Sequence, residues 1–190
     1  MKIDKKTELN RDVYVAHAEI AGQEITVTTG KVAQQAGGSV MVQLGGTVVL
    51  ATAVVAEKER PDIDFFPLVV DYFDKMYAAG KIPGGFFKRG GRPSDQEILR
   101  SRLIDRPLRP LFPKHFRRDV QIVVSTLSSD GENIPDFLGI IGASCALTIS
   151  DAPFEGPLAA LTIALIHGEL VVIPTVTMLQ KSTLDLVVAV

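Results

Sequence analysis

The sequence contains 190 residues, of which 46% are hydrophobic and 22% are charged, and its formal net charge is −2 at pH 7. This length and apolar content suit one folded domain and exclude a disordered chain, while a single cysteine, Cys145, excludes an internal disulfide. The longest charge-free apolar run covers residues 137–150, which is shorter than the ~20 residues that cross a bilayer, and no signal-peptide pattern begins the chain, so we expect a cytoplasmic protein with no membrane partner.

The first half of the chain predicts β-strands joined by short glycine turns. Ala21-Gly22 and Gly45-Gly46 each separate two β-rich runs, which is the pattern of a β-hairpin. A charged loop over residues 57–64 precedes a further apolar run. The strands of this half are predicted over residues 13–20, 24–29, 39–44, 47–56 and 65–73. The chain is therefore expected to open with two hairpins.

The second half mixes helices with strands. Residues 135–149 form an almost uninterrupted apolar run, which predicts a buried helix packed on a sheet, and a short helix is predicted over residues 175–180. Strands are predicted over residues 120–127, 158–166, 170–173 and 184–190. This order predicts an α+β fold, a mixed β-sheet with helices packed on it, rather than a doubly wound parallel sheet.

Residues 77–113 are the stretch around which we interpret the rest of the chain. The stretch begins as a glycine-rich loop and continues into a helix. Ser94 followed by Glu97 fits a capping box, in which the Ser94 hydroxyl accepts from the Glu97 amide and the Glu97 carboxylate accepts from the Ser94 amide. Pro107 predicts that the helix ends or kinks before that residue.

Positive charge is concentrated in the same part of the chain. Residues 88–118 hold ten Lys and Arg residues and three acids, a net charge of +7, so the remainder of the chain sums to −9. A basic island on an acidic body is typical of proteins that bind a polyanion. Aromatic rings beside cations suit a single-stranded nucleic acid, whose bases stack while its phosphates pair with the cations. The candidate binding residues are Phe86, Phe87, Lys88, Arg89, Arg92, Arg102 and Arg106.

Several of these residues also have a purely structural interpretation. The Phe86-Phe87 pair would serve as a loop staple buried against the core. Arg102 and Arg106, one helical turn apart, would pair with acids of the same stretch. Those acids are Asp95, Glu97 and Asp105. The residue types alone leave both interpretations open.

No residue pattern predicts a catalytic or metal centre. The sequence lacks a phosphate-binding loop, a dinucleotide fingerprint and a nucleophile elbow, and its three histidines fall on three different predicted elements. Asp62 and Asp64 lie in a charged loop, and Asp185 has no acidic neighbour in sequence, whereas hard cations usually need several oxygen ligands. We therefore predict no catalytic residue and no metal ligand in this chain.

The central stretch resembles the first ribonuclease PH-like core of the bacterial polynucleotide phosphorylase (polyribonucleotide nucleotidyltransferase) family. The resemblance rests on DFFPLVVDYFDKMYAAGKIPGGFFKRGGRPSDQEILRSRLIDRPLRPLFP, supported by TGKVAQQAGGSVMVQLGGTVVLATAV, IPDFLGIIGASCALTISDAPFEGPLAAL and KSTLDLVVA. It covers nearly the whole chain from about Gly22 onward. It implies that residues 1–190 are a single ribonuclease PH-like core at the N-terminal end of a longer multidomain chain, which agrees with a sequence that stops inside an apolar strand.

The resemblance also implies an activity and partners. The family removes nucleotides from the 3′ end of RNA with inorganic phosphate as co-substrate and Mg²⁺ as cofactor, and three chains form a ring through which single-stranded RNA threads. The family loop that matches Phe86-Phe87-Lys88-Arg89 lines the channel and grips RNA. Lys88 stands where Arg is common, which keeps the charge but loses bidentate pairing with phosphate. The expected role is that of a phosphate-dependent 3′-to-5′ exoribonuclease in RNA degradation, acting as a homotrimer.

Two departures from the family indicate that the chemistry lies outside this chain. In the active second core, a turn rich in Gly, Ser and Thr supplies phosphate ligands, whereas here residues 130–135 contain Glu132 and precede Asp136, and both acids repel phosphate. The active core also holds its metal with two aspartates. Asp185 matches one of them, and residues 174–181 contain no acid to match the other. The resemblance therefore implies that this chain supplies RNA-binding surface and ring scaffold, with catalysis and Mg²⁺ in the second core.

Two other functions stay open at this point. One is a stand-alone, non-catalytic RNA-binding ring subunit of exosome type. The other is a single-core exoribonuclease or small-molecule phosphotransferase, which needs phosphate ligands near residues 130–136 and a second acid near Asp185.

Overall fold

The structure, a computed structural model, describes residues 2–8, 11–61, 63–86 and 88–190. The strands are β1 (Lys2–Glu8), β2 (Arg11–Ile20), β3 (Gln23–Thr29), β4 (Gly38–Leu44), β5 (Thr47–Glu59), β6 (Leu68–Asp74), β7 (Arg118–Ser128), β8 (Ala160–Ile166), β9 (Glu169–Val172) and β10 (Asp185–Ala189). The helices are α1 (Asp95–Leu108), α2 (Asp136–Ile149) and α3 (Val176–Leu179), with short 3₁₀ helices at Met76–Ala79 and Arg109–Leu111. The α+β fold class predicted from the sequence is confirmed.

Seven strands form one mixed sheet in the order β1-β2-β3-β4-β5-β7-β6. Its neighbours are antiparallel except for β6 and β7, which run parallel because α1 carries the chain back from one to the other. The two predicted hairpins are confirmed, with β2 turning into β3 at Ala21 and Gly22, and β4 into β5 at Gly45 and Gly46. Ala21, Gly22 and Gly45 have positive φ, as tight two-residue turns require.

A small antiparallel sheet follows in the order β10-β8-β9. Its β8–β9 hairpin turns at His167 and Gly168, which have φ values of 51° and 85°. The short helix predicted nearby is the single turn α3, whose N-cap residue Thr175 accepts a hydrogen bond from the Met178 amide at 3.3 Å. The elements predicted for the end of the chain are therefore confirmed.

Helix α2 is buried, as its apolar sequence predicts, and it contacts both sheets through β4, β5 and β8. Small residues permit this close packing. A Cβ added at Gly142 would lie 3.0 Å from the Cβ of Ala51, and one added at Gly38 would collide with the carbonyl oxygen of Ala146. No helix in the described ranges is both long and apolar enough to cross a membrane. The packing of α2 fixes the turn that precedes it beside the large sheet.

Strand β1 is not predicted by the sequence, because Ile3 is the only apolar residue among its seven and most of its side chains are exposed. The strand forms by pairing with β2, from Lys2 opposite His17 to Glu8 opposite Arg11. Pairing with a neighbouring strand, rather than burial, therefore orders this segment. Local alternation of apolar residues could not reveal it.

Several boundaries differ from the prediction by a few residues, and the structure gives a reason for two of them. β5 extends to Glu59, into the predicted charged loop, because Glu59 pairs with Arg118 of β7. α1 runs through Pro107 to Leu108, two residues beyond the expected end. Pro107 lies in the last turn, so its missing N–H weakens only the end of the helix, and the full burial of Ile104 and Leu108 stabilises that turn.

Candidate nucleic-acid interface

The β6–α1 loop, residues 75–94, leaves the end of β6 and returns at the start of α1. It opens with the 3₁₀ helix Met76–Ala79, which ends at Gly80 in the left-handed conformation with φ of 67°. Beyond this turn, the side chains of Ile82 and Phe86 are 79% and 94% exposed. The loop therefore presents large apolar side chains to solvent in the most basic part of the chain.

The structure places the described candidates of the loop at the surface. Phe86 is exposed, so the interpretation as a buried staple is wrong for this residue, whereas Phe87 lies outside the described residues. Lys88, Arg89 and Arg92 are exposed, and none of them forms an ion pair with a residue in the described ranges. Their charges are therefore available to an external anion.

Arg102 and Arg106 lie on the exposed face of α1, one turn apart as the sequence predicts. Asp105, an expected partner, instead pairs with Arg109 at 3.0 Å. Arg102 and Arg106 make no ion pair with any described residue. Leu99, on the same helix, is 64% exposed. This face of α1 thus combines free cations with apolar surface, beyond the end of the β6–α1 loop.

A single carboxylate closes the base of the β6–α1 loop. Glu97 Oε1 accepts from the backbone amide of Asp74 at 2.8 Å, and its Oε2 accepts from the Ser94 amide at 2.7 Å and the Ser94 hydroxyl at 2.9 Å. The predicted capping box is confirmed. Partial burial raises the pKa of Glu97, but the hydrogen bonds from Ser94 and Asp74 outweigh it and lower that pKa overall. We call Asp74, Ser94 and Glu97 the loop clamp.

A charged network that the sequence did not reveal shares Asp74 with the loop clamp. Arg100 pairs with Asp74 and, at 2.7 Å, with Asp136, and its guanidinium lies 5.4 Å from the Tyr72 ring centroid. Thr126 donates to Asp74 at 2.9 Å. Burial raises the pKa of Asp136 despite Arg100. These residues come from four separate elements, so no local spacing signals their meeting.

The turn before α2, residues 129–133, is closed by Asp130. The carboxylate of Asp130 accepts from the Gly46 amide at 2.9 Å, the Thr47 hydroxyl at 3.0 Å, the Glu132 amide at 3.0 Å, and the Asn133 amide at 2.8 Å. Burial opposes ionisation, but these hydrogen bonds hold the pKa of Asp130 well below its usual range. Amides that a turn could offer to phosphate are thus already occupied by a carboxylate.

Glu132 accepts hydrogen bonds from the first residues of α3. Its carboxylate accepts from the hydroxyl of Thr177 at 2.8 Å, and its backbone oxygen accepts from the Val176 amide at 2.9 Å. The hydrogen bonds from Thr177 lower the pKa of Glu132, which favours its charged form.

Asp185 has a spatial neighbour that sequence spacing did not show. That neighbour is Asp136. The charge of Asp185 helps to raise the pKa of Asp136, although Asp136 is already paired with Arg100. No group of three or more His, Cys, Asp or Glu side chains in the described ranges could hold a metal ion. The neighbourhood of Asp185 therefore offers two acids, one of them engaged.

The sequence matches a known family and several characterised relatives. Residues 21–153 match the 3′ exoribonuclease family, domain 1. The chain is 56% identical over 171 residues to a polyribonucleotide nucleotidyltransferase of Heliobacterium modesticaldum, covering 90% of this chain and 24% of that protein. It is 56% identical over 178 residues to the enzyme of the same name from Gluconobacter oxydans, covering 94% and 25%. The chain thus spans about a quarter of the length of the relatives it matches.

Solved structures share the fold at much lower identity. Rice Rrp46 superposes with a TM-score of 0.68 at 16% identity, covering 87% of this chain and 78% of that one. A chain of the Archaeoglobus fulgidus exosome, solved with RNA bound to the active site, gives a TM-score of 0.67 at 17% identity, covering 87% and 71%. At this identity the likeness concerns the fold alone.

Proposed function

This chain belongs to the 3′ exoribonuclease family, domain 1, and from that membership we propose that residues 1–190 form the single first ribonuclease PH-like core of a polyribonucleotide nucleotidyltransferase. The longer protein would degrade RNA from its 3′ end in the cytoplasm, with inorganic phosphate as co-substrate and Mg²⁺ as cofactor, as a homotrimeric ring. The 53–57% identity to enzymes of that name supports the proposal. Within this protein, the chain would supply RNA-binding surface and scaffold.

The observation that carries the RNA-binding role is the exposed, unpaired charge of the β6–α1 loop. Lys88 and Arg89 sit beside Phe86 and form no ion pair with a described residue. Cations that are not neutralised by the protein can pair with successive phosphates, while an aromatic ring can stack on a base, at roughly 1–3 kcal/mol per base. Arg92, Arg102 and the further candidates Phe87 and Arg106 would extend the same contact with single-stranded RNA.

The chemistry itself we assign to a second core of the longer protein. The carboxylates of Asp130 and Glu132 accept hydrogen bonds that a phosphate would otherwise receive. Asp185 lies near enough to Asp136 to raise the pKa of that carboxyl, and Asp136 is paired with Arg100. We therefore propose that this chain contributes no catalytic residue and no metal ligand.

A stand-alone, non-catalytic ring subunit of exosome type is the second candidate. A chain of an RNA-bound exosome shares the fold. The amides that Asp130 occupies in the turn before α2 suit a subunit that binds RNA without cleaving it. The far higher identity to polyribonucleotide nucleotidyltransferases favours the first candidate.

Binding of single-stranded RNA tests the proposed role directly. In the longer protein, Lys88→Ala and Arg89→Ala should each reduce the slope of log affinity against log salt by about 0.7, the value for one lost phosphate contact on a single strand. Phe86→Ala should weaken binding by roughly 5- to 100-fold without changing that slope. Lys58→Ala is the matched control, because Lys58 is an exposed cation near the other end of the sheet. Unchanged affinity and slope in all three loop variants would refute RNA binding by this loop.

A further inference from the structure

A groove of about 560 Å³ lies between the two ends of the β6–α1 loop. Met76 and Tyr77 line it from the 3₁₀ helix, and Gly90, Gly91 and Arg92 line it from the segment that precedes α1. Its volume falls within the range of about 300–1,000 Å³ that is typical of small-ligand sites. The groove is thus large enough for one nucleotide.

We propose that this groove binds one nucleotide of the single-stranded RNA, with the base stacked on Tyr77 and its phosphate paired with Arg92. The proposal rests on the RNA-binding function proposed above and adds a subsite to it. It assigns a role to Tyr77, a residue outside the basic cluster that the sequence singled out. Three observations support it.

The first observation is that the groove contains an aromatic ring that the protein leaves open. Phe73 also lines the groove, but the ammonium of Lys75 covers its ring at 4.4 Å. Tyr77 is 60% exposed, and no described ring or cation packs on it. An exposed ring in a groove is a surface on which a base can stack.

The second observation is that the acids of the groove are already engaged. Asp74 and Glu97 line it, but Glu97 accepts the hydrogen bonds of the loop clamp and Asp74 is paired with Arg100. Arg92 has no such partner in the described ranges. The groove therefore offers a phosphate two cations that pair with no acid in the described ranges, Arg92 and Lys75, beside the negative charges of Asp74 and Glu97.

The third observation is the space beside Arg92. A Cβ added at Gly90 or at Gly91 would meet no atom within 4 Å. The backbone here is thus bare and open, so a ribose-phosphate can approach it without displacing a side chain. Lys88 and Arg89, only a few residues away, would hold the neighbouring phosphates of the same strand.

The test uses the longer protein and a single-stranded oligonucleotide that contains 2-aminopurine, whose fluorescence is quenched on stacking. Tyr77→Ala should weaken binding by roughly 5- to 100-fold and abolish the quenching at one position, whereas Tyr77→Phe, which keeps the ring, should retain both. Arg92→Ala should lower the salt slope by about 0.7, and Tyr77→Ala should leave it unchanged. Tyr14→Ala is the matched control, because Tyr14 is 43% exposed on β2, in the part of the sheet opposite to β6.

The possible results distinguish a failure of the groove proposal from a failure of the RNA-binding function on which it rests. If Tyr77→Ala binds and quenches like the unaltered protein while Lys88→Ala weakens binding, the groove is not a nucleotide site and RNA binding by the loop stands. If neither variant changes binding, both proposals are refuted. If Tyr77→Phe loses as much affinity as Tyr77→Ala, the hydroxyl rather than the ring matters, and the stacking proposal is overturned.

Discussion

The carboxylate of Asp130 accepts hydrogen bonds from backbone amides of its own turn. Sequence comparison with the family suggested that acids in this turn repel phosphate, and named Glu132 and Asp136 for that role. The structure gives Asp130 a different one: its carboxylate takes up the amides of Glu132 and Asn133 together with groups of the β4–β5 turn. The carboxylate therefore stands in the turn where an anionic ligand would need those amides.

The pH dependence of stability should report this carboxylate. The folded-state pKa of Asp130 is depressed, so its contribution to the free energy of unfolding is present above the unfolded pKa of about 4 and is lost as the pH falls from there. We expect Asp130→Asn to lower the free energy of unfolding at pH 7 by about 1 kcal/mol, the usual net worth of a hydrogen bond. The difference from the unaltered chain should shrink below pH 4.

Chemical denaturation of the two chains between pH 3 and pH 7 measures this difference. Asp64→Asn is the control, since Asp64 is exposed and makes no hydrogen bond or ion pair with a described residue. A gap between Asp130→Asn and the unaltered chain that stays the same at pH 3 would show that the charge of Asp130 is not what stabilises the turn.

Residue types could suggest part of the candidate site because charge and aromaticity can be read without a fold. The exposure of Phe86, Lys88 and Arg89 agrees with that prediction, since glycines on either side leave little for the loop to pack against. Tyr77 was not predicted to be functional, because a lone tyrosine in sequence gives no sign of whether its ring will be covered.

At the scale of elements, β6 and α1 hold the two ends of the β6–α1 loop in place. Glu97 binds the last amide of β6, at Asp74, and the amide of the N-cap residue Ser94. The loop can therefore be open at its tip while its base is fixed. A fixed base would limit the conformational entropy lost in the RNA binding that we propose for the tip.

Removing the carboxylate of Glu97 should loosen the loop without unfolding the helix. We expect Glu97→Ala to cost about 1 kcal/mol of stability, as is typical of a lost cap, and to speed hydrogen exchange at the amides of Asp74 and Ser94. RNA affinity should fall as well, because the tip then starts from more conformations. Glu97→Gln, which keeps an acceptor oxygen, should have a smaller effect.

Asp95→Ala is the matched control for Glu97→Ala, because Asp95 is an acid of the same first turn and makes no side-chain hydrogen bond with a described residue. The two variants change the helix-terminal charge equally, so a difference between them reports the loop clamp. Equal exchange rates at Asp74 and Ser94 in both variants would exclude a role for Glu97 in holding the loop.

Elements were predictable where their partners are close in sequence. The capping box joins residues three apart and the hairpins turn over two residues, so local patterns sufficed for them. The contact between Glu97 and Asp74 spans 23 positions, and β1 is ordered by pairing rather than by its own composition. Such features depend on the fold as a whole, which periodicity cannot supply.

At the scale of the whole molecule, positive and negative charge are separated. The net charge of +7 over residues 88–118 lies on a body that sums to −9, and that basic stretch contributes the exposed candidates of the loop and of α1. The turn before α2, by contrast, holds ionised acids. A polyanion would therefore be drawn to the loop and repelled from the turn before α2.

This separation predicts that the 190-residue chain will bind RNA without cleaving it. Incubated with single-stranded poly(A), inorganic phosphate and Mg²⁺, the chain should release no nucleoside diphosphate, because Asp130 and Glu132 occupy the amides and hydroxyls that would receive phosphate. The longer protein, assayed at equal concentration, should release it. Lys88→Ala in the longer protein should lower the kcat/KM of that release most at low salt, since the phosphate contact that it removes weakens as salt rises. Phosphate-dependent release from the short chain, retained after removal of contaminating nucleases, would place an active centre here, and the network of Arg100, Asp136 and Asp185 would be the first location to alter by mutation.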